Sequence, residues 1–169
     1  FILSEGKIAM RNPAANGNAW FVDRLRFVPN ADAEIAALKG LDTKTAAVAD
    51  VRFKTQLDGS PLGTGSVQLT HYAPNELHYT AQTDKGGVLV LSEIYYPGWT
   101  ATLDGQPVEI GRVNYVLRAL RIPAGRHELR LEFRPTSVAA TDAVAYAALA
   151  LLALALGFAR SEEHTSELQ

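Results

Sequence analysis

The sequence predicts a mainly β chain: an antiparallel β-sandwich with one short helix, followed by a C-terminal transmembrane α-helix. Three observations carry that expectation. About nine short segments alternate or run apolar at close spacing, and Gly, Pro and Asn turn signals separate nearly all of them. The third is an Ala/Leu run near the C-terminus, Val138 to Ala159, whose only charged residue is Asp142.

Asn12 to Asn18 (NPAANGN) is a turn cluster that delivers the chain into Ala19 to Val28. There Phe21, Leu25 and Phe27, with Asp23, Arg24 and Arg26 between them, fit a half-buried strand. Pro29 and Asn30 stop it. Ala31 to Lys39 then reads as a short helix, which Asn30 can cap and Gly40 ends. Asp32 and Glu34 suit the positive end of its dipole, and Ile35 and Leu38 are expected to face the body. Ala46 to Lys54 is predicted as a further strand, and Asp58 to Gly65 (DGSPLGTG) as a surface loop.

Ser66 to Tyr72 and Glu76 to Gln82 both alternate, and Ala73, Pro74 and Asn75 join them as a hairpin. Val88 to Tyr96 is almost continuously apolar, as a strand buried on both faces should be. Pro97 and Gly98 turn it. Trp99 to Leu103 and Val108 to Ile110 form a second hairpin through Asp104 and Gly105, a dipeptide that accepts positive φ at both positions. Tyr115 to Ile122 and His127 to Phe133 are expected to pair across Pro123, Ala124 and Gly125.

From Ala143 to Ala159 there is no charge. The full run Val138 to Ala159 reaches about 33 Å as a helix, against a hydrocarbon core of about 30 Å. A buried core helix is the competing reading, but it should carry a polar stripe, and Val144 to Leu156 carries none. Asp142 falls in the first turn, where a carboxylate suits the helix N-terminus and reaches interfacial water.

Both ends of the chain look cut. Phe1 to Ala9 lacks the basic and apolar regions of a signal peptide. Arg160 to Gln169 (RSEEHTSELQ) resembles the conceptual translation of a sequencing adapter and is set aside as a non-native tail. Without it the 16 basic and 18 acidic residues become 15 and 15, so the formal charge of −2 says nothing about partners. The absence of cysteine excludes disulfides and thiolate metal sites. Scattered Lys and Arg argue against nucleic acid as a partner.

Tyr95, Tyr96 and Trp99 around the Pro97 turn offer an aromatic platform for a sugar, with Arg112, Asn114 and Arg118 one hairpin away to supply hydrogen bonds. The competing reading has these aromatics filling the core or anchoring the domain at headgroup level. Glu93 with Asp104 or Glu109 is the acid pair a glycosidase would need, but surface strands carry such acids routinely. His71 and His78 are expected to meet across their hairpin, but without a third ligand they do not make a metal site. Gly63-Thr64-Gly65 lacks the strand-to-helix setting of a phosphate loop, and Ser60 and Ser92 lack that of a nucleophile. No catalytic residue, metal ligand or cofactor site is expected.

Three segments together resemble the C-terminal part of the YfhO-like family of bacterial multispanning membrane proteins. They are Asn12 to Val28 (NPAANGNAWFVDRLRFV), Ser92 to Gly105 (SEIYYPGWTATLDG) and Gly111 to Pro135 (GRVNYVLRALRIPAGRHELRLEFRP). The helix Ala31 to Lys39 (ADAEIAALK) is similar too. The resemblance implies a parent with many membrane helices, similar to polyprenyl-phosphate-sugar-dependent glycosyltransferases, whose catalytic acids lie in an early extracytoplasmic loop outside these residues. It also implies the bacterial cytoplasmic (inner) membrane, with the β domain on the extracytoplasmic side. The expected organisation is therefore an N-terminal remnant and turn region (1–18), an extracytoplasmic β-sandwich (19–136), a transmembrane helix (137–159) and a non-native tail (160–169). The expected partners are the lipid bilayer, the upstream transmembrane part of the parent, and a glycan or lipid-linked sugar. The alternative class is an envelope structural, interaction or carbohydrate-binding module with no link to glycosyl transfer.

Overall fold

The structure, a computed structural model, describes residues 2–3, 9–10, 12–59 and 62–166. Residues 1, 4–8 and 11 of the N-terminal remnant, residues 60 and 61 of the predicted loop, and tail residues 167–169 lie outside the described residues. The chain divides into two compact units, Phe1–Phe133 and Arg134–Gln169.

The first unit begins with a short antiparallel pair, β1 (Ile2–Leu3) and β2 (Ala9–Met10). Then come β3 (Ala19–Val22), β4 (Arg24–Val28), α1 (Ala31–Ala37), β5 (Ala46–Asp50), a 3-10 turn (Val51–Phe53) and α2 (Lys54–Leu57). The remaining strands are β6 (Gly65–Ala73), β7 (Glu76–Thr83), β8 (Gly87–Ile94), β9 (Trp99–Leu103), β10 (Gln106–Val108), β11 (Gly111–Val113), β12 (Leu117–Ile122) and β13 (Gly125–Phe133). Two antiparallel sheets face each other, one ordered β10-β9-β13-β7-β6 and the other β11-β12-β8-β3. Leu77, Tyr79, Leu129 and Leu131 from the first meet Phe21, Leu89, Leu91, Leu120 and Ile122 from the second in one core. That is the predicted sandwich.

A third layer was not foreseen. β4 and β5 pair in parallel, and with the 3-10 turn and α2 they cover the other face of the four-stranded sheet. Val22, Val88, Val90, Val113 and Ala119 pack there against Ala47, Ala49, Phe53 and Leu57. Val88 to Leu91 are consequently fully buried, odd and even residues to opposite layers, whereas the predicted doubly buried strand Val88 to Tyr96 holds no further: β8 ends at Ile94, and Ser92, Ile94 and Tyr96 are exposed.

Four expectations need correction. Ala19 to Val28 is two strands, because at Asp23 the chain leaves the four-stranded sheet for the outer layer. The Asp23 and Arg24 N–H groups both donate to the Thr45 carbonyl, at 3.0 and 3.2 Å. Ala46 to Lys54 is a strand only to Asp50, whose side chain accepts from the Arg52 N–H and starts the 3-10 turn. Tyr115 to Ile122 and His127 to Phe133 do not pair; β12 and β13 belong to opposite sheets. Their alternation reports that both face one core, and this is equally true of strands on either side of it.

The helix face is the fourth. Asn30 caps α1 as expected, its Oδ1 accepting from the Ala33 N–H at 2.9 Å. The buried residue, however, is Glu34, while Ile35 is 51% exposed.

The two hairpins with strong turn signals form, the second returning along Gln106–Val108 instead of the predicted Val108 to Ile110. β6 and β7 pair from Gly65↔Thr83 to Ala73↔Glu76. β9 and β10 turn through Asp104 and Gly105 at φ 50° and 79°, the left-handed pair of a primed turn. Asp104 then accepts from the Glu128 N–H and meets the His127 ring nitrogen at 2.6 Å, fastening the turn to β13.

The second unit contains α3 (Thr136–Ser166), which runs seven residues beyond the predicted end at Ala159. Every described side chain from residue 140 to 156 is exposed, Val144, Leu149, Leu151, Leu152, Leu154 and Leu156 among them. Among the described residues, no helix is long and apolar enough to cross a membrane.

Candidate functional site

A cleft of about 450 Å3 opens where β8 leaves its sheet. Tyr95, Tyr96, Pro97, Gly98 and Trp99 form one side, Pro107 to Ile110 another, and Gln56 of α2 and Arg118 of β12 complete it. Pro97 followed by Gly98 at φ 101° is the residue order of a type II turn. That turn sends the chain from the four-stranded sheet to the five-stranded one and leaves Tyr96 61% exposed.

Arg118 is the unusual wall residue. It shares its side of β12 with Leu120 and Ile122, so its side chain enters the apolar interval between the sheets and is only 2% exposed. The pairing of β12 with β8 shifts register around it, from Leu117↔Ile94 to Ala119↔Val90, and such irregularities re-aim side chains. Glu93, in the irregular stretch of β8, accepts from Arg118 Nη2 at 3.2 Å. The guanidinium lies over the Trp99 ring at 4.1 Å, a cation–π contact. Burial pulls the Arg118 pKa below its usual value, opposed by the charge of Glu93 and by Tyr79. Burial also pushes the Tyr79 hydroxyl up to about 12, with Glu93 adding to it. Arg118 Nε and Nη1 and Gln56 Oε1 are buried without hydrogen-bond partners.

The aromatics are held from behind. Phe133, the Cα partner of Trp99, places its ring 5.5 Å from Trp99 and 6.2 Å from Tyr96. Tyr95 meets Phe53 edge-to-face at 5.4 Å.

Of the residues singled out from sequence, Tyr95, Tyr96 and Trp99 come together here, with Arg118. Arg112 and Asn114 do not line the cleft. Arg112 Nη2 donates to Glu34 Oε2 at 2.7 Å, and Glu34 Oε1 accepts from the Tyr115 N–H at 2.9 Å. Asn114, buried at φ 50°, pairs with Val48: its N–H donates to the Val48 carbonyl and its Oδ1 accepts from the Val48 N–H. These residues join α1 and β5 to the β11–β12 turn. Gln56 escaped sequence reasoning because it falls between the expected strand Ala46 to Lys54 and the expected loop Asp58 to Gly65, where no element was predicted and α2 forms. Arg118 was visible as a charge in phase with Leu120 and Ile122.

Of the candidate acids, Glu109 also lines the cleft. Glu93 is engaged by Arg118 and Asp104 by His127. The His71 and His78 rings meet at 5.0 Å, and His78 Nε2 lies 2.7 Å from Glu76 Oε1. Among the described residues no group of three or more side chains could hold a metal.

No curated protein and no solved structure matches the chain. A family does: that of the bacterial membrane protein YfhO, over residues 58–143, just over half of the chain and the stretch that holds β6 to β13 and nearly all of the cleft. The chain belongs to the YfhO family of bacterial membrane proteins.

Proposed function

We propose that this chain is a C-terminal, noncatalytic extracytoplasmic domain of a multispanning membrane protein similar to polyprenyl-phosphate-sugar-dependent glycosyltransferases. Its β body guides a glycan acceptor at the Tyr95–Trp99 cleft, and α3 tethers it to the bilayer. The observation that carries the glycan reading is the cleft itself: Tyr95, Tyr96 and Trp99 beside a buried arginine whose donors are not all used. Aromatic faces take the C–H surface of a sugar, and polar groups at the rim fix its orientation. The tether reading is supported by membership of a membrane protein family and by α3, whose apolar residues from 140 to 156 are exposed on every face of the helix. A span would continue through Gly157 to Ala159.

Glycan binding followed by titration calorimetry tests the first reading. Trp99→Ala and Tyr96→Ala are expected to abolish binding, and unchanged binding would overturn the platform. Membrane partitioning tests the second. A chain ending before Ser137 is expected to leave the membrane fraction, and continued tight association would remove α3 as the tether.

A further inference from the structure

The unpartnered atoms around the cleft are of two opposite kinds. Arg118 Nε and Nη1 only donate, whereas Gln56 Oε1 only accepts. Both residues belong to the wall, and Arg118 is more than nine-tenths buried. A carboxylate or phosphate would satisfy the donors alone. It would also face two carboxylates, Glu93 on Arg118 and Glu109 in the lining, against the single guanidinium charge. An ammonium group would satisfy the acceptor alone. A hydroxyl donates and accepts at once, so neighbouring hydroxyls on one ring answer both needs without adding charge.

The remaining wall fits the same ligand. Trp99, Tyr95 and Tyr96 offer apolar faces, and a cleft of about 450 Å3 has the size of a small-molecule site. A buried donor or acceptor left unmade is costly, so a ligand that reaches these atoms gains from satisfying them. We propose that the cleft takes an uncharged pyranose through neighbouring hydroxyls, one accepting from the Arg118 guanidinium and one donating to Gln56 Oε1. Gln56 thereby becomes a ligand-contact residue. This rests on the glycan reading above and narrows it to neutral sugars.

Titration calorimetry on the full chain, held in a phosphocholine detergent that carries no sugar headgroup, separates the possibilities. The probes are a neutral methyl hexopyranoside, the corresponding methyl uronate and a hexose phosphate. The neutral sugar is expected to bind at least tenfold more tightly than either acidic one. Gln56→Leu is expected to weaken it tenfold or more with the thermal unfolding midpoint unchanged, since Gln56 lies on a short surface helix; Arg118→Leu should weaken it tenfold or more as well. Binding of the acidic sugars as tightly as the neutral one would overturn this inference and leave the glycan reading standing. Neutral binding untouched by Gln56→Leu would also overturn it. Binding of none of the three would sink both.

Discussion

Arg112 and Arg118 lie directly opposite each other as Cα partners on β11 and β12, and each holds a glutamate. Arg112 meets Glu34 at 2.7 Å, a carboxylate with no exposure whose second oxygen is taken by the Tyr115 N–H. Arg118 meets Glu93 at 3.2 Å, a carboxylate one-third exposed, and keeps two nitrogens unpartnered beside a cleft. The same pair of residue types therefore does two jobs. The closed pair fixes α1 to the sheet, and its worth lies in neither partner being left alone in the interior. The open pair is not closed upon itself, and its arginine is part of the wall of the cleft bordered by Tyr95, Tyr96 and Trp99.

The largest effect should come from breaking the closed pair. Glu34→Ala strands the Arg112 charge and the Tyr115 N–H together and is expected to cost about 3–5 kcal/mol in urea unfolding. A loss near zero would make this contact ornamental. Next, Asn114→Ala removes the side-chain half of the Val48 pairing at a left-handed position and is expected to cost about 1–3 kcal/mol by the same measurement. On the open side, Trp99→Leu keeps apolar bulk but removes the ring over Arg118, and should cost only about 0.5–2 kcal/mol. A loss as large as that of Glu34→Ala would mean that the aromatic wall is structural, not ligand-facing.

The smallest effect is a pH dependence at the β9–β10 turn, far from both arginines in function. The Asp104 hydrogen bond raises the His127 pKa above its ordinary 6.5, and the same contact lowers Asp104 below 3.8. The histidine's contribution is therefore complete below pH 6.5 and disappears as pH rises through its raised folded value. The aspartate's is complete above pH 3.8 and disappears as pH falls through its lowered folded value. Stability measured from pH 5 to 9 should decline as pH rises above 6.5, and His127→Gln should flatten that decline. An unchanged slope would show that the contact carries no linkage.

Much of the fold could be read from alternation and turns. Asp104-Gly105 specified its hairpin because both residues reach positive φ, and Val88 to Leu91 announced burial on both faces. What alternation leaves open is which sheet a strand joins. β12 and β13 face one core from opposite sides, and an adjacent-hairpin reading satisfies their pattern equally. The third layer was hidden for a related reason: Val22 beside Phe21 marks two buried faces, but the short parallel pair that covers the second face has no turn signature of its own.

The site was legible by half. Tyr95, Tyr96 and Trp99 are brought together by a Pro-Gly turn that local sequence specifies, whereas Arg112 and Asn114 were assigned by nearness along the chain. Their partners, Glu34 and Val48, stand 78 and 66 residues away. Nothing in the local pattern of ADAEIAALK marks Glu34 as a buried counter-ion; its position in the first turn suits the helix dipole just as well.

The difference between the two arginines is most directly tested by urea unfolding of Arg112→Leu beside Arg118→Leu. Arg112→Leu leaves Glu34 charged and buried and is expected to lose about 3–5 kcal/mol. Arg118→Leu places an apolar side chain in line with Leu120 and Ile122 while Glu93 keeps contact with water, so the loss should be about 1 kcal/mol or less. Equal losses, or a larger one for Arg118→Leu, would contradict the account.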